Sequence, residues 1–140
     1  MATTPSVVIN KAALDFLLRD PAGPVQRDMY RRALAVLFAA QTDCPKHLSN
    51  LLNSLHIEPT VVEGLPGYKV GSELNYTVYV DQGTGLQAGH GPYAKQPPIE
   101  NIREWADDHG INPYILARHI FEVGTKPTYF LTNALRNAAA

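Results

Sequence analysis

Apolar residues recur at helical spacing over the first third of the chain. Over 7–20 they stand three and four positions apart after Asn10, a residue type that caps helices. A turn at 20–23 separates this segment from 24–42, where the spacing continues behind a proline, which helices tolerate in their first turn. A shorter apolar pattern covers 47–55. The spacing therefore predicts three helices, of which the second is the longest.

The pattern changes between 59 and 80, where β-branched and aromatic residues are concentrated and glycine interrupts them. Residues of these types favour strands. We therefore expect short antiparallel strands here. In one of them Tyr76, Val78 and Val80 would share one face, and Tyr79 would lie on the other, since side chains alternate along a strand.

The second half of the chain combines a long loop with further helices. Glycine and proline are frequent over 83–98, which predicts an extended loop that is mobile or meets a neighbouring molecule. Helical spacing returns over 99–109, where we expect Trp105 to be a core anchor, and again over 113–123, and a glycine ends both segments. A final helical turn or two is predicted over 130–136.

Together these elements predict an α+β fold in one domain, 1–140. A small antiparallel sheet would be packed by a long helix from the N-terminal half and by shorter C-terminal helices. A chain of 140 residues, of which 45% are apolar, is long enough for one core and short for two. Because it has no long apolar run and no secretion-signal pattern, we expect it to be made without export and to contact no membrane.

The charge balance limits one class of function. The formal net charge is -1, and strong electrostatic binding of nucleic acid requires that several phosphates be neutralised at once. A local basic stripe nevertheless exists at Arg27, Arg31 and Arg32, with Asp28 placed to pair with Arg32 one turn on. Such a stripe could line a channel for DNA, meet an acidic partner or simply face solvent. A small DNA-binding module is therefore one interpretation of the chain.

The single cysteine, Cys44, excludes an internal disulfide framework and fits a reducing compartment. Cys44 and His47 have the spacing of two zinc ligands, but a structural zinc site needs four ligands and the sequence has no second close pair. Cys44 could also be a nucleophile paired with a distant histidine, which would make the chain a hydrolase. Nothing near Cys44 favours that chemistry.

Two further motifs have structural explanations. The segment Gly83–Thr84–Gly85 is similar to the start of a dinucleotide-binding motif, but the next glycine, Gly89, is too far along the chain. Glu100 and Glu104 stand one helical turn apart, a spacing that a pair of catalytic carboxylates could have, yet a charged outer helix face accounts for them. We therefore predict no catalytic residue, no cofactor and no metal ion.

Three segments of the second half form an ordered set. They are YTVYVDQGTG at 76–85, PPIENIREW at 97–105 continuing to Gly110 and Ile111, and IFEVGTKP at 120–127 followed by Phe130, Leu131, Ala134 and Leu135. In their order and spacing they resemble the tail-completion or neck family of siphophages, which is grouped with lambda-like minor tail protein Z. Asp81 and Gln82 stand where that family has glutamate and an aromatic residue, and Thr132 stands where proline is common.

The resemblance implies an α+β structural subunit of the virion, assembled in the host cytoplasm and repeated as a hexameric, sixfold ring between the head connector and the tail tube. Its partners would be further copies of the chain, connector or stopper proteins, and tail terminator or tail-tube proteins. DNA passing through the ring would touch the arginine stripe only passively. Tail terminators and connector stoppers are similar in size and also form rings, so both stay as alternative interpretations.

A head-to-tail ring contact needs two different complementary patches on each subunit. The candidates are the loop 83–98 and the segment 124–130, where Gly124 can adopt a backbone shape closed to other residues and Pro127 restricts the chain that follows. We expect the loop to order only on assembly and Phe130 to contact a neighbour. The residues predicted at the interface are Tyr79, Gly83, Thr84, Gly85, Gly124, Thr125, Lys126, Pro127 and Phe130.

Overall fold

The computed structural model describes residues 3–139, except for the side chain of Ala139. The described residues form seven α-helices, a short 3-10 helix at Gly85–Ala88 and a two-stranded antiparallel sheet, so the fold is α+β as predicted. The main elements are α1 (Lys11–Arg19), α2 (Pro24–Asp43), α3 (Ser49–Ser54), β1 (His56–Val62), β2 (Leu65–Gly71), α4 (Thr77–Gln82), α5 (Ile99–Asp108), α6 (Pro113–Val123) and α7 (Phe130–Ala139). Among these residues no helix combines the length and apolarity needed to cross a bilayer.

The first two helices begin where the sequence predicts. Asn10 caps α1, since its Oδ1 accepts a hydrogen bond from the backbone N of Ala13 at 3.1 Å, and α2 begins with its proline. The buried amide of Gln26 joins both helices to the sheet: its Nε2 donates to the carbonyl of Leu18 at 2.8 Å and to that of Pro66 at 3.3 Å. Despite this connection, α1 buries none of its own residues.

The core lies where α2, α3 and α7 meet. Its buried members are Val36, Ala40, Cys44, Leu51, Leu55, Phe130 and Ala134. Phe130 heads the fully buried side chains by volume, and burial of a phenylalanine side chain stabilises a fold by roughly 1.5–3 kcal/mol. The helix nearest the C-terminus therefore closes a core that the long N-terminal helix begins.

The two strands form a hairpin with a two-residue turn at 63–64. Both turn residues have positive φ, +51° and +78°, as a type I′ turn requires. Residues 56–62 pair with 65–71 in a continuous antiparallel register. The hairpin packs on α2, where the rings of Tyr30 and Tyr68 meet edge to face with centroids 5.3 Å apart. Antiparallel strands are thus confirmed for the first part of 59–80.

The strand predicted at 76–80 is wrong, because residue 76 caps the helix α4 and residues 77–80 belong to it. The pattern of a short apolar run does not by itself separate a strand from a helix. Val80 and Asp81 lie in the last turn of α4, where carbonyl groups have no partner inside the helix. Their oxygens accept hydrogen bonds from the backbone N–H groups of Thr128 and Tyr129 instead, and no strand pairs with 76–80 among the described residues.

The helices α5 and α6 form a hairpin at the predicted positions. The inward face of α5 consists of Ile99, Ile102 and the fully buried Ala106. Trp105, predicted as a core anchor, lies beside this face and is 52% exposed, with its ring stacked on His109 at a centroid distance of 4.0 Å. That prediction is wrong because the small Ala106 takes the inward position and lets the two helices approach closely.

Candidate functional site

The first and third of the segments that resemble the neck family meet in the fold. We call this contact the clasp: residues 80–85 around the end of α4, and residues 124–132 around the start of α7. Thr84 and Thr125 form a short antiparallel bridge in which each backbone N–H donates to the other carbonyl, at 2.9 and 3.2 Å. Their hydroxyl oxygens lie 2.9 Å apart. Two stretches that were predicted as separate patches therefore contact each other within one subunit.

Asp81 connects the clasp to α7. Its buried side chain accepts hydrogen bonds at Oδ1 from the backbone N of Leu131 at 2.9 Å and of Thr132 at 3.1 Å, and at Oδ2 from the Thr132 hydroxyl at 2.6 Å. The first backbone N–H groups of a helix have no partner inside it, and negative charge at that end is favourable. Asp81 therefore supplies the cap of α7 from far earlier in the chain.

Asp81, Gln82 and Thr132 are in contact with one another. Besides the bond between Asp81 and Thr132, the amide Nε2 of Gln82 donates to Thr132 Oγ1 at 3.0 Å and to Asp81 Oδ2. A proline at position 132 would offer Asp81 no N–H. The sequence analysis noted these three positions separately and did not predict that they touch. The one signal in the sequence was that all three side chains are able to form hydrogen bonds.

Glycine permits the close backbone approach in the clasp. Gly124 has a φ of +57°, and a Cβ at this position would overlap the carbonyl oxygen of Thr84. Gly85 has a φ of +58°, and a Cβ there would overlap the carbonyl oxygen of Phe121. The backbone shape predicted for Gly124 is confirmed, but the structure uses it for a contact inside the subunit.

The residues predicted at the interface differ in exposure. Tyr79, Thr125 and Lys126 are exposed, Thr84, Gly124 and Pro127 are half-buried, and Gly83, Gly85 and Phe130 are buried. The ring of Tyr79 also packs edge to face on Tyr93, with centroids 5.0 Å apart. The exposed members are available to a partner, whereas the buried glycines hold the clasp together.

The prediction that Phe130 lies on a contact surface is wrong for the folded subunit. Phe130 is 1% exposed and belongs to the core. The physical reason lies in the clasp: Asp81 fixes the start of α7, and the first residue of this helix then points inward. Proline and glycine before Phe130 restrict its position as expected, but they direct it into the core.

The segment 83–98 is more compact than the extended loop that was predicted. It begins with the 3-10 helix, which packs on α6 and buries Ala88. Backbone hydrogen bonds also form within the segment. The N–H of Gly85 donates to the carbonyl of Tyr93 at 3.1 Å, and the N–H of Gly91 donates to the carbonyl of Ala88 at 2.9 Å. These contacts order its first half within the subunit, and ordering on assembly remains a hypothesis for the remainder.

The arginine stripe is exposed on α2. Arg32 pairs with Asp28, Nε to Oδ2, at 2.9 Å, as predicted. Arg27 and Arg31 form no ion pair within residues 3–139. Two unpaired guanidinium groups are therefore presented on one side of the longest helix.

Cys44 is buried in the core, 2% exposed. Burial raises the pKa of its thiol, although the nearby Lys46 ammonium opposes the rise. A raised thiol pKa lowers the fraction of the nucleophilic thiolate at neutral pH. The position of Cys44 therefore favours a packing role at the end of α2, as the sequence suggested.

A small charged cluster beside the hairpin was not found from the sequence. His56, Glu58 and Glu73 bring potential ligand atoms within 4.8 Å of one another. The hydrogen bond to the Ser54 carbonyl, and then the bond to Glu58 at 2.9 Å, raise the pKa of His56; the same bond to His56 lowers the pKa of Glu58. Because Lys69 lies 3.7 Å from Glu58, the cluster forms an ion-pair network in which His56 and Glu58 are half-buried.

Comparison of the chain with protein-family models, with curated proteins and with solved structures returned no match.

Proposed function

We propose that the chain is a structural subunit of a ring in the neck of a long-tailed bacteriophage, where it completes the tail and joins it to the head connector. In this role it acts through contacts with other protein copies and carries out no reaction. Three features support the proposal: the extent of its accessible surface, the apolar character of that surface, and the way the resembling segments fold together.

The accessible surface is the main support. A compact monomer of 15.4 kDa has an accessible surface of about 7,200 Å², according to the scaling of surface with mass. The surface of this chain is 10359 Å². The excess of about 3,000 Å² over the compact value is of the size that permanent subunit contacts bury. A subunit with two neighbours in a ring would cover such a surface.

Much of the exposed surface is apolar. Val7 and Val8 are each 90% exposed, α1 buries nothing, and Phe38 on α2 is 73% exposed. Large apolar patches on a folded domain mark surfaces that contact proteins or membranes. In the neck, neighbouring copies and the connector and tail proteins would cover them.

The clasp supports the family resemblance. Its two segments are far apart in the sequence, yet they converge on one bridge and one helix cap. Asp81, Gln82 and Thr132, where the chain differs from the pattern of the family it resembles, also contact one another there.

Purified virions provide the test. We expect mass spectrometry to detect the chain in complete particles, and class averages of the neck to contain a ring of its copies between the connector and the tube. Phage that lack the gene should accumulate separate heads and tails. Infectious particles formed without the chain would contradict the proposal, and a ring at the end of the tube or on the connector would instead identify a tail terminator or a stopper.

Arg27 and Arg31 favour DNA contact as a second candidate function, because neither has an ion-pair partner in the described part of the chain. A DNA-binding module would bind duplex DNA with an affinity that falls steeply as salt rises. The net charge of -1 is unfavourable for such binding. Titration of the isolated protein with duplex DNA at two salt concentrations separates the two functions.

A further inference from the structure

One side of α2 presents charge and apolar surface together. Arg27, Arg31, Leu34 and Phe38 are separated by four, three and four positions, a spacing that aligns them along one face of a helix. All four are exposed, on the side of α2 away from the core residues Val36 and Ala40. We call this set the α2 stripe. Along α2 it consists of two positively charged side chains followed by two large apolar ones.

The outer side of α5 has the opposite charge. Glu100, Glu104 and Asp108 follow one another at one-turn spacing, and Trp105 lies at their flank; we call these four residues the α5 face. All four are exposed, since Ile99, Ile102 and Ala106 form the inward side. None of its acidic residues has an ion-pair partner within residues 3–139. The face consists of three carboxylate side chains beside one aromatic ring.

We propose that the α2 stripe of one copy packs against the α5 face of the next copy. This inference rests on the proposed function and names the two surfaces of its ring contact. The guanidinium groups of Arg27 and Arg31 would face carboxylates, and Leu34 and Phe38 would cover the ring of Trp105. Buried aromatic and arginine side chains carry much of the binding energy in protein interfaces.

The two surfaces are of similar length. At 1.5 Å per helical residue, the α2 stripe extends over about 16 Å and the α5 face over about 12 Å. The two helices belong to different parts of the fold, since α2 packs on α1, the hairpin and α7, whereas α5 packs on α6. Each copy thus offers both surfaces. A contact between two different patches is head-to-tail, and it closes into a ring when the rotation per subunit allows it.

Charge reversal tests the contact directly. The double variants Arg27→Glu/Arg31→Glu and Glu100→Lys/Glu104→Lys should each weaken self-association of the full chain by at least about tenfold, because like charges would then face each other. Sedimentation velocity over a dilution series measures this. Matched controls, Arg19→Glu/Arg136→Glu and Asp43→Lys/Glu63→Lys, change the net charge equally at exposed positions outside both surfaces and should associate like the unmodified chain.

Mixing the two reversed variants gives the sharper result. In the mixture, each original surface meets an original partner and each reversed surface meets a reversed one, so assemblies of alternating copies should form although neither variant assembles alone. Circular dichroism should find both variants folded. If the mixture stays dissociated, or if either variant alone assembles like the unmodified chain, the proposed contact is wrong.

Trp105 supplies a direct probe of the α5 face, since it is the chain's single tryptophan. Its emission should shift to shorter wavelength as the unmodified chain associates and should stay unshifted in the reversed variants. Association without such a shift would overturn the inference while leaving a ring in the neck intact. An unmodified chain that stays monomeric at the highest soluble concentration would also overturn it, and its presence in virions would still test the proposed function separately.

DNA contact by the α2 stripe is the competing outcome. If Arg27→Glu/Arg31→Glu abolishes salt-dependent binding to duplex DNA and leaves self-association unchanged, the stripe faces DNA and the proposed contact is wrong. If it weakens self-association and the unmodified chain binds DNA no better than the variant, the contact between copies is supported.

Discussion

Both the side chain and the backbone of Asp81 contact the start of α7. Its carboxylate binds two backbone N–H groups and one hydroxyl at the start of α7, and its own carbonyl accepts from Tyr129. Nothing in the local sequence indicates a helix cap, because the capped helix lies far along the chain. A cap that comes from a distant element can be recognised only when the fold has brought the two elements together.

Replacement of Asp81 by alanine should reduce the free energy of unfolding by about 2 kcal/mol, since it removes a cap and leaves buried N–H groups without a partner. Asp81→Asn retains one acceptor oxygen and should lose less. Urea unfolding measures both. Asn10→Ala, which removes the cap of α1, is the matched control and should cost about 0.5 kcal/mol because α1 buries nothing. An equal loss in the two alanine variants would contradict the role given to Asp81.

Phe130→Ala should destabilise the subunit by about 3–5 kcal/mol, the cost of a large cavity in a packed core. Leu135→Ala on the same helix removes a side chain that is mostly exposed and should cost less than about 0.5 kcal/mol. Thermal unfolding of dilute protein compares the two. If Phe130→Ala were to unfold like the unmodified chain but fail to assemble, the interface role predicted from the sequence would be correct after all.

The His56 and Glu58 pair should make the hairpin slightly more stable in mildly acidic solution. The pKa of His56 is raised from 6.5, so its contribution is complete below 6.5 and is lost as pH rises through the raised value. The pKa of Glu58 is lowered from 4.5, so its contribution is present above 4.5 and is lost as pH falls through the lowered value. Unfolding at pH 5.5 and 8.5 should differ more in the unmodified chain than in His56→Gln.

At the scale of elements, the helices could be predicted where local signals agree. Asn10 before α1, Pro24 at the start of α2 and the glycines after α5 and α6 mark their ends, and apolar spacing marks their length. In the segment 76–80 the alternating pattern predicted a strand, and the helix signal from Gly83, which ends α4 with a φ of +75°, was missed. Trp105 was misplaced for a related reason, because spacing identifies a face but not which neighbour covers it.

Val78→Ala tests the helical state of α4 in solution. Alanine has the higher helix propensity, so at this exposed position the substitution should be neutral or stabilise the protein by up to about 0.5 kcal/mol. Val61→Ala in β1, also exposed, should destabilise it by about 0.5 kcal/mol because β-branched residues suit strands. Chemical unfolding of the two variants side by side is sufficient. A loss at Val78 equal to that at Val61 would indicate a strand.

At the scale of the whole molecule, the chain has more surface than its mass requires. The core is small, α1 is uncovered, and the α5 and α6 hairpin touches the remainder mainly through the 3-10 helix and the clasp. Composition indicated a single domain but not how much of it stays uncovered, because exposure depends on how the elements pack. The sequence indicated that Arg27 and Arg31 could meet a partner, but it did not identify the apolar part of the α2 stripe or the α5 face as a contact surface.

If copies of the chain associate as proposed, the apparent melting temperature should rise with protein concentration, because association stabilises only the folded state. Each tenfold increase adds up to about 1.4 kcal/mol per contact formed. Differential scanning calorimetry at several concentrations measures the rise. The double variant Arg27→Glu/Arg31→Glu serves as the control and should melt at one temperature throughout. A melting temperature independent of concentration in the unmodified chain would indicate a protein that is stable as a monomer.

The closing of the core by α7 has a consequence for synthesis. Phe130 and Ala134 complete a cluster whose other members, in α2 and α3, leave the ribosome much earlier. Until α7 is made, those residues stay uncovered, and Asp81 has no helix to cap. A chain that ends before α7 therefore lacks two members of its core, and we expect it to be less stable than the full chain.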